Sequence, residues 1–183
     1  MRRWIVVLAL LPLLVGGCGD RSLILTVDIL SFLDPADVTK AYGPIPGGIS
    51  GVTVDVASEE VSLLQGIEDV TEVSSATLDI AASFDNTTGT ASASLRIYIS
   101  PGDSADVFST TPIADIPVSL TPGAITNVST QVSSDALAEA LVQDKAKIGV
   151  RITFDTTASG VTPVQGTETI TVLRATVITK KDL

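Results

Sequence analysis

Leu78-Asp79-Ile80-Ala81-Ala82-Ser83-Phe84-Asp85-Asn86-Thr87-Thr88-Gly89, continuing through Thr90-Ala91-Ser92-Ala93-Ser94-Leu95-Arg96-Ile97-Tyr98-Ile99, decides the fold class. Leu78, Ile80, Ala82 and Phe84 recur at every second residue, and Ala91, Ala93, Leu95, Ile97 and Ile99 then do the same. A period of two puts alternate side chains on one face of a strand, whereas a helix requires 3.6. Asp85 to Gly89 supplies turn residues between the two runs, so a β-hairpin is expected, with its small alanines where two layers approach closely.

The same period extends outward in both directions. Leu23, Leu25, Val27 and Ile29 alternate, and Ile24, Leu30 and Phe32 make this first run apolar on both sides, as in a central strand. Val52, Val54 and Val56 form another run, and the Pro- and Gly-rich stretch from Asp34 to Gly51 is expected to be a long ordered loop. Downstream, Ile113 to Leu120 carries Pro117, the mark of an edge or bulged strand, and Ile125 to Val132 extends again. Ser134 and Asp135 open one short helix with Leu137 and Leu141 at i, i+4. Ile148, Val150, Ile152 and Phe154 alternate once more. Thr156 to Gly166 reads as a polar loop, and Ile170, Val172 and Ile178 mark a long final strand. The expectation is an all-β, antiparallel two-sheet sandwich, immunoglobulin-like or similar, formed by residues 23–183 as one domain with one short helix.

The N-terminus follows a different logic. Met1-Arg2-Arg3 precedes the apolar run Trp4 to Val15, and then come Gly16, Gly17 and Cys18, the only cysteine of the chain. As a helix the run covers about 18 Å, short of a hydrocarbon core of about 30 Å, so it fits a cleaved signal rather than a membrane span. This arrangement resembles the signal peptide and lipobox of bacterial lipoproteins. The resemblance covers about the first eighteen residues and implies cleavage between Gly17 and Cys18, with residues 1–17 as the signal peptide and acyl chains such as palmitate on Cys18. Two or more chains make such anchoring stable. Gly19 follows the cysteine, so the aspartate that retains some lipoproteins at the inner membrane is absent, and the outer membrane of the cell envelope is the implied destination. Residues 18–22 form a tether of roughly 15 Å at most, which keeps the domain near the bilayer.

Composition narrows the chemistry. The 183 residues contain no histidine and carry a net charge of −10. With the sole thiol acylated, imidazole bases, Ser-His-Asp triads, thiolate metal sites and redox pairs all drop out. The acidic balance disfavours nucleic acid, whose phosphates require clustered cations. Remaining candidates are the carboxylate pairs Asp34/Asp37 and Asp103/Asp106, suited in principle to hydrolysis or to a metal such as calcium, against the commoner role of Asp in turns. No cofactor is expected. The leading expectation is a non-enzymatic, lipid-anchored envelope protein that acts by binding or structural contact with an envelope partner. The alternatives are a carrier or sensor of an apolar small molecule or lipid, and a carboxylate hydrolase.

Overall fold

The computed structural model describes residues 21–61, 72–141 and 145–181. Gly17 and Cys18 lie outside the described residues. Among the described residues the elements run β1 (Arg21–Asp28), α1 (Pro35–Val38), β2 (Thr39–Ile45), β3 (Ser50–Val61), β4 (Glu72–Thr88), β5 (Ala91–Pro101), β6 (Ala114–Leu120), β7 (Ala124–Ser133), α2 (Asp135–Leu141), β8 (Ala146–Asp155) and β9 (Val164–Lys181).

Two antiparallel sheets result. One has the order β1-β9-β4-β7, with β2 also on the outer side of β9, and the other has the order β3-β8-β5-β6. Strand β2 pairs with β9, β3 with β8, β4 with β7 and β5 with β6. These pairings are nested about the β5–β6 connection, as in one long hairpin rolled up so that successive pairs fall alternately in the two sheets. The expected two-sheet sandwich is therefore present, and its strand order is that of a jelly roll.

Alternation does the packing. In β5 the buried residues Ala91, Ala93, Leu95 and Ile97 share a single core with Ala82, Ile80, Leu78 and Ala76 of the other sheet. Phe84, Phe154, Leu95, Ile152 and Leu173 are fully enclosed there. Each such side chain is worth roughly 1.5–3 kcal/mol relative to exposure. Helix α2 closes one end: Ser134 Oγ accepts from Leu137 N at 3.4 Å, and Leu137 and Ala140 are buried in the core.

Several local expectations are corrected. Among the described residues β1 lies at an edge, paired only with β9, and Ile24 on its outer face is 65% exposed. The stretch from Asp34 to Gly51 is not one loop, because α1 and β2 lie inside it. The hairpin turn is shorter than expected: β4 runs on through Asp85, Asn86 and Thr87 to Thr88, and Gly89 makes the bend with φ of +70°, a conformation open to glycine. In β9 a register shift opposite Ala81 and Ala82 exchanges the faces, so that Leu173, Ala175 and Val177 are buried while Val172 and Ile178 are only partly so. The edge position implied by Pro117 holds, since β6 is the outer strand of its sheet.

Candidate functional site

The two expected carboxylate pairs are occupied with local structure. Asp34 caps α1, its Oδ1 accepting from Ala36 N at 2.8 Å, and Asp37 faces Lys40 Nζ at 3.6 Å. Asp106 caps a 3-10 turn at Val107–Ser109 by accepting from Phe108 N at 2.9 Å, while Asp103 is exposed in the preceding turn. Among the described residues no group of three or more acidic side chains is placed to hold a metal ion.

A different carboxylate is the chemical anomaly of the fold. Glu168 of β9 is paired with Lys40 of β2 on one side and with Phe84 of β4 on the other, and it points into the core with 0% exposure. Among the described residues neither of its oxygens has a hydrogen-bond partner. Removal from water penalises the charged form, so burial pushes this carboxyl up to about 7, with Lys40 pulling it the other way. Beside it, the buried Tyr42 hydroxyl donates to Asn86 Oδ1 at 3.2 Å, and Asn86 Nδ2 donates to Gly89 O at 2.7 Å. The Tyr42 ring packs on Phe154 of the opposite sheet at 5.0 Å, and burial, then Asp85 and Glu168, raise its hydroxyl to about 12. Gly166 leaves room for this ring, because a Cβ there would collide with Tyr42 Oη and with the Asp85 carbonyl.

Glu168 escapes a reading of the sequence because Thr156 to Gly166 looks like a loop, which leaves the next residues without a phase. The signal is nevertheless present, since Val164, Gly166, Glu168 and Ile170 recur at every second position on the face that becomes interior.

The outer face of the second sheet carries a charged row across all four strands. In register, Asp55 stands beside Arg151, Arg151 beside Arg96, and Arg96 beside Asp115. Arg151 donates to Asp55 through Nε at 2.5 Å and Nη2 at 3.0 Å, and Arg96 Nε donates to Asp115 at 2.9 Å. Burial pushes the Asp115 carboxyl up, but the hydrogen bonds from Ser94 and Arg96 outweigh it and hold the group below the usual carboxylate value. The Arg151 guanidinium lies 4.1 Å from the centroid of the Phe108 ring, which meets Tyr98 edge to face at 5.3 Å. Each arginine thus has its own carboxylate, and the row as a whole is balanced.

The ends of the sandwich differ. Four connections meet at one end: Pro46–Ile49, Gly89–Thr90, Thr121–Gly123 and Thr156–Pro163. They are stitched together by Gly48 N to Thr156 O at 3.0 Å, Gly123 N to Asn86 O at 2.7 Å and Thr90 N to Ser159 Oγ at 3.2 Å. None of the four contains a charged residue. Val161 at its tip is 97% exposed and Ile49 is also exposed. A shallow cleft of about 350 Å³ opens between Thr88, Gly89, Pro122, Ala158 and Thr162. Arg21 lies at the opposite end, paired with Lys181 where β9 terminates.

No protein-family model and no curated protein matches the chain. Among solved structures it is similar to the VP2 subviral particle of infectious bursal disease virus, at 14% identity and a TM-score of 0.47, over 88% of this chain and 33% of that one. It is also similar to the structure of the Gx strain of that virus, at 13% identity and a TM-score of 0.44, over 88% and 36%. Dimeric latent PorU from Porphyromonas gingivalis shows 12% identity and a TM-score of 0.34, over 90% of this chain and 13% of that chain. The chain thus spans about a third or less of the length of these structures.

Proposed function

We propose that this chain is a lipid-anchored protein of the bacterial cell envelope, held by Cys18, with a non-catalytic role in binding an envelope partner through its uncharged loop end. The carrying observation is topological. Arg21, three residues after Cys18, starts at the end of the sandwich opposite the four uncharged connections. The length of β9 separates the two ends by about 55 Å, at a rise of about 3.3 Å per residue. An anchor on Cys18 therefore presents Val161, Ile49 and their neighbours away from the bilayer. Their lack of charge stands out in a chain of net charge −10, and it removes the desolvation cost that carboxylates impose on a contact.

The apolar-ligand alternative draws less support, because Phe84, Phe154, Leu95 and Tyr42 fill the space between the sheets. The hydrolase reading draws little from Asp34 and Asp106, whose side chains serve as caps.

Photo-cross-linking of the full-length protein in its own cells tests the reading. A cross-linker at Val161 is expected to give a discrete adduct that one at Thr171, exposed midway along β9, does not give. Cys18→Ser is expected to release the protein from the membrane fraction. Identical adduct patterns from both positions, or unchanged fractionation of the Cys18 variant, would overturn it.

A further inference from the structure

We propose that β7 is the seam of a homodimer, in which two copies of this chain pair their β7 strands antiparallel about a two-fold axis near Ser129 and so join their sheets. This rests on the sheet edge alone and is independent of the anchor.

Exposed edges invite pairing, and proteins usually blunt them with proline, charge, bulges or shortness. Of the other four edge strands, three are blunted along their length and β1 is charged only at its two ends. β6 carries Pro117 and Asp115. β3 contains Asp55, Glu59 and Glu60, and its register shifts twice against β8. β2 contains Pro44 and a register shift, and β1 ends in Arg21 and Asp28. β7 has none of these devices. Its ten residues, Ala124–Ser133, hold an unbroken register against Asn86 to Thr77 of β4, with no proline and no charged side chain. Among the described residues no strand pairs with its other side.

The sequence of β7 is also self-complementary. With two copies antiparallel about Ser129, Asn127 of one faces Gln131 of the other, Val128 faces Thr130, and Thr126 faces Val132. Amide thus meets amide on the outer face, and β-branched side chain meets β-branched side chain on the inner one. Gln131 is already oriented, because its Nε2 donates to Asp79 Oδ1 at 2.6 Å, leaving its carbonyl oxygen to accept from Asn127 across the seam. Val128 and Val132 are only partly buried against the core and would be covered further. A two-fold contact requires such a self-matching surface, and a chain of net charge −10 requires that the seam itself be free of charge. Edge pairing buries less than the 1,200 Å² or so of a standard interface, so dissociation is expected in the range of about 10–100 μM.

The test is sedimentation equilibrium of the full-length chain in density-matched detergent from about 1 to 300 μM. The wild type is expected to pass from monomer to dimer. Ser129→Lys, which sets two ammonium groups against each other at an exposed position, is expected to weaken association at least tenfold without loss of folding by circular dichroism, as is Ser129→Asp. An equimolar mixture of the two variants is expected to restore the dimer. A wild type that stays monomeric, variants that dimerise as the wild type does, or a mixture that fails to associate would each overturn the proposal. So would a strand from a different protein found paired with β7.

Discussion

Lys40 and Glu168 are cross-strand partners on β2 and β9, yet the Lys40 ammonium donates to the carbonyl oxygen of Asp55 on the other sheet, at 2.8 Å, and leaves the carboxyl group unbonded. The lysine closes the gap between edge strands β2 and β3. Among the described residues the glutamate is left in the interior without a compensating hydrogen bond.

Stability should therefore fall as pH rises. The folded state raises the Glu168 carboxyl from 4.5 to about 7, so its contribution is complete below about pH 4.5 and is lost as pH climbs through 7. Each tenfold gain in proton affinity on folding is worth about 1.4 kcal/mol, so the loss approaches about 3 kcal/mol. Urea unfolding at pH 5 and pH 8 checks this. Glu168→Gln should be the more stable protein at pH 8 by up to that amount, and nearly equal to the wild type at pH 4. Parallel profiles for the two proteins would show that the carboxyl group is not enclosed. Lys40→Met should move the midpoint of the wild-type profile upward, because Lys40 is what lowers this carboxyl group.

Gly166→Ala should be among the most damaging small substitutions, since the new methyl group meets Tyr42 Oη and backbone at Asp85. A cost of about 2–4 kcal/mol is expected from overpacking a filled core. Tyr42→Phe keeps the ring against Phe154 but strips Asn86 Oδ1 of its donor, for about 1–2 kcal/mol. In the double variant Tyr42→Ala/Gly166→Ala the two effects should be less than additive, and thermal unfolding of the wild type, both single variants and the double variant measures the coupling.

At Asp106 the geometry of a cap can be separated from the charge of a ligand. Asp106→Asn retains an oxygen for Phe108 N and should leave the melting temperature nearly unchanged, while Asp106→Ala should cost about 1 kcal/mol. Millimolar calcium should shift neither variant, nor the wild type. A calcium-dependent rise that disappears in Asp106→Asn would make this loop a metal site after all.

Arg151 combines a bidentate bond to Asp55 with the Phe108 ring. Only a planar guanidinium serves both. Arg151→Lys should therefore lose nearly as much stability as Arg151→Ala, about 1 kcal/mol for these partly exposed groups. The salt dependence of unfolding should weaken more in Arg151→Ala, which removes the charge beside Asp55, than in Arg151→Lys, which keeps it.

The hairpin of β4 and β5 was legible because its side chains alternate without interruption and each strand is stabilised by its own two faces. Helix α2 was legible from its cap and its leucine spacing. β2 was hidden because Gly43, Pro44 and Pro46 mask a strand whose pairing with β9 is supplied by residues more than a hundred positions away. The face exchange in β9 was equally out of reach, since nothing local in Thr171-Val172-Leu173 states that β4 will continue in phase while β9 does not.

Local sequence thus determined that this chain makes strands, where most of them turn, and that no imidazole is at hand for chemistry. Period and composition are local properties, carried by each segment alone. Which strands become neighbours, that β7 is left as an unblunted edge, and that Glu168 points inward were decided by tertiary structure. Those outcomes depend on the order in which distant strands pair and on bulges that switch one face for the other, and no segment contains that information by itself.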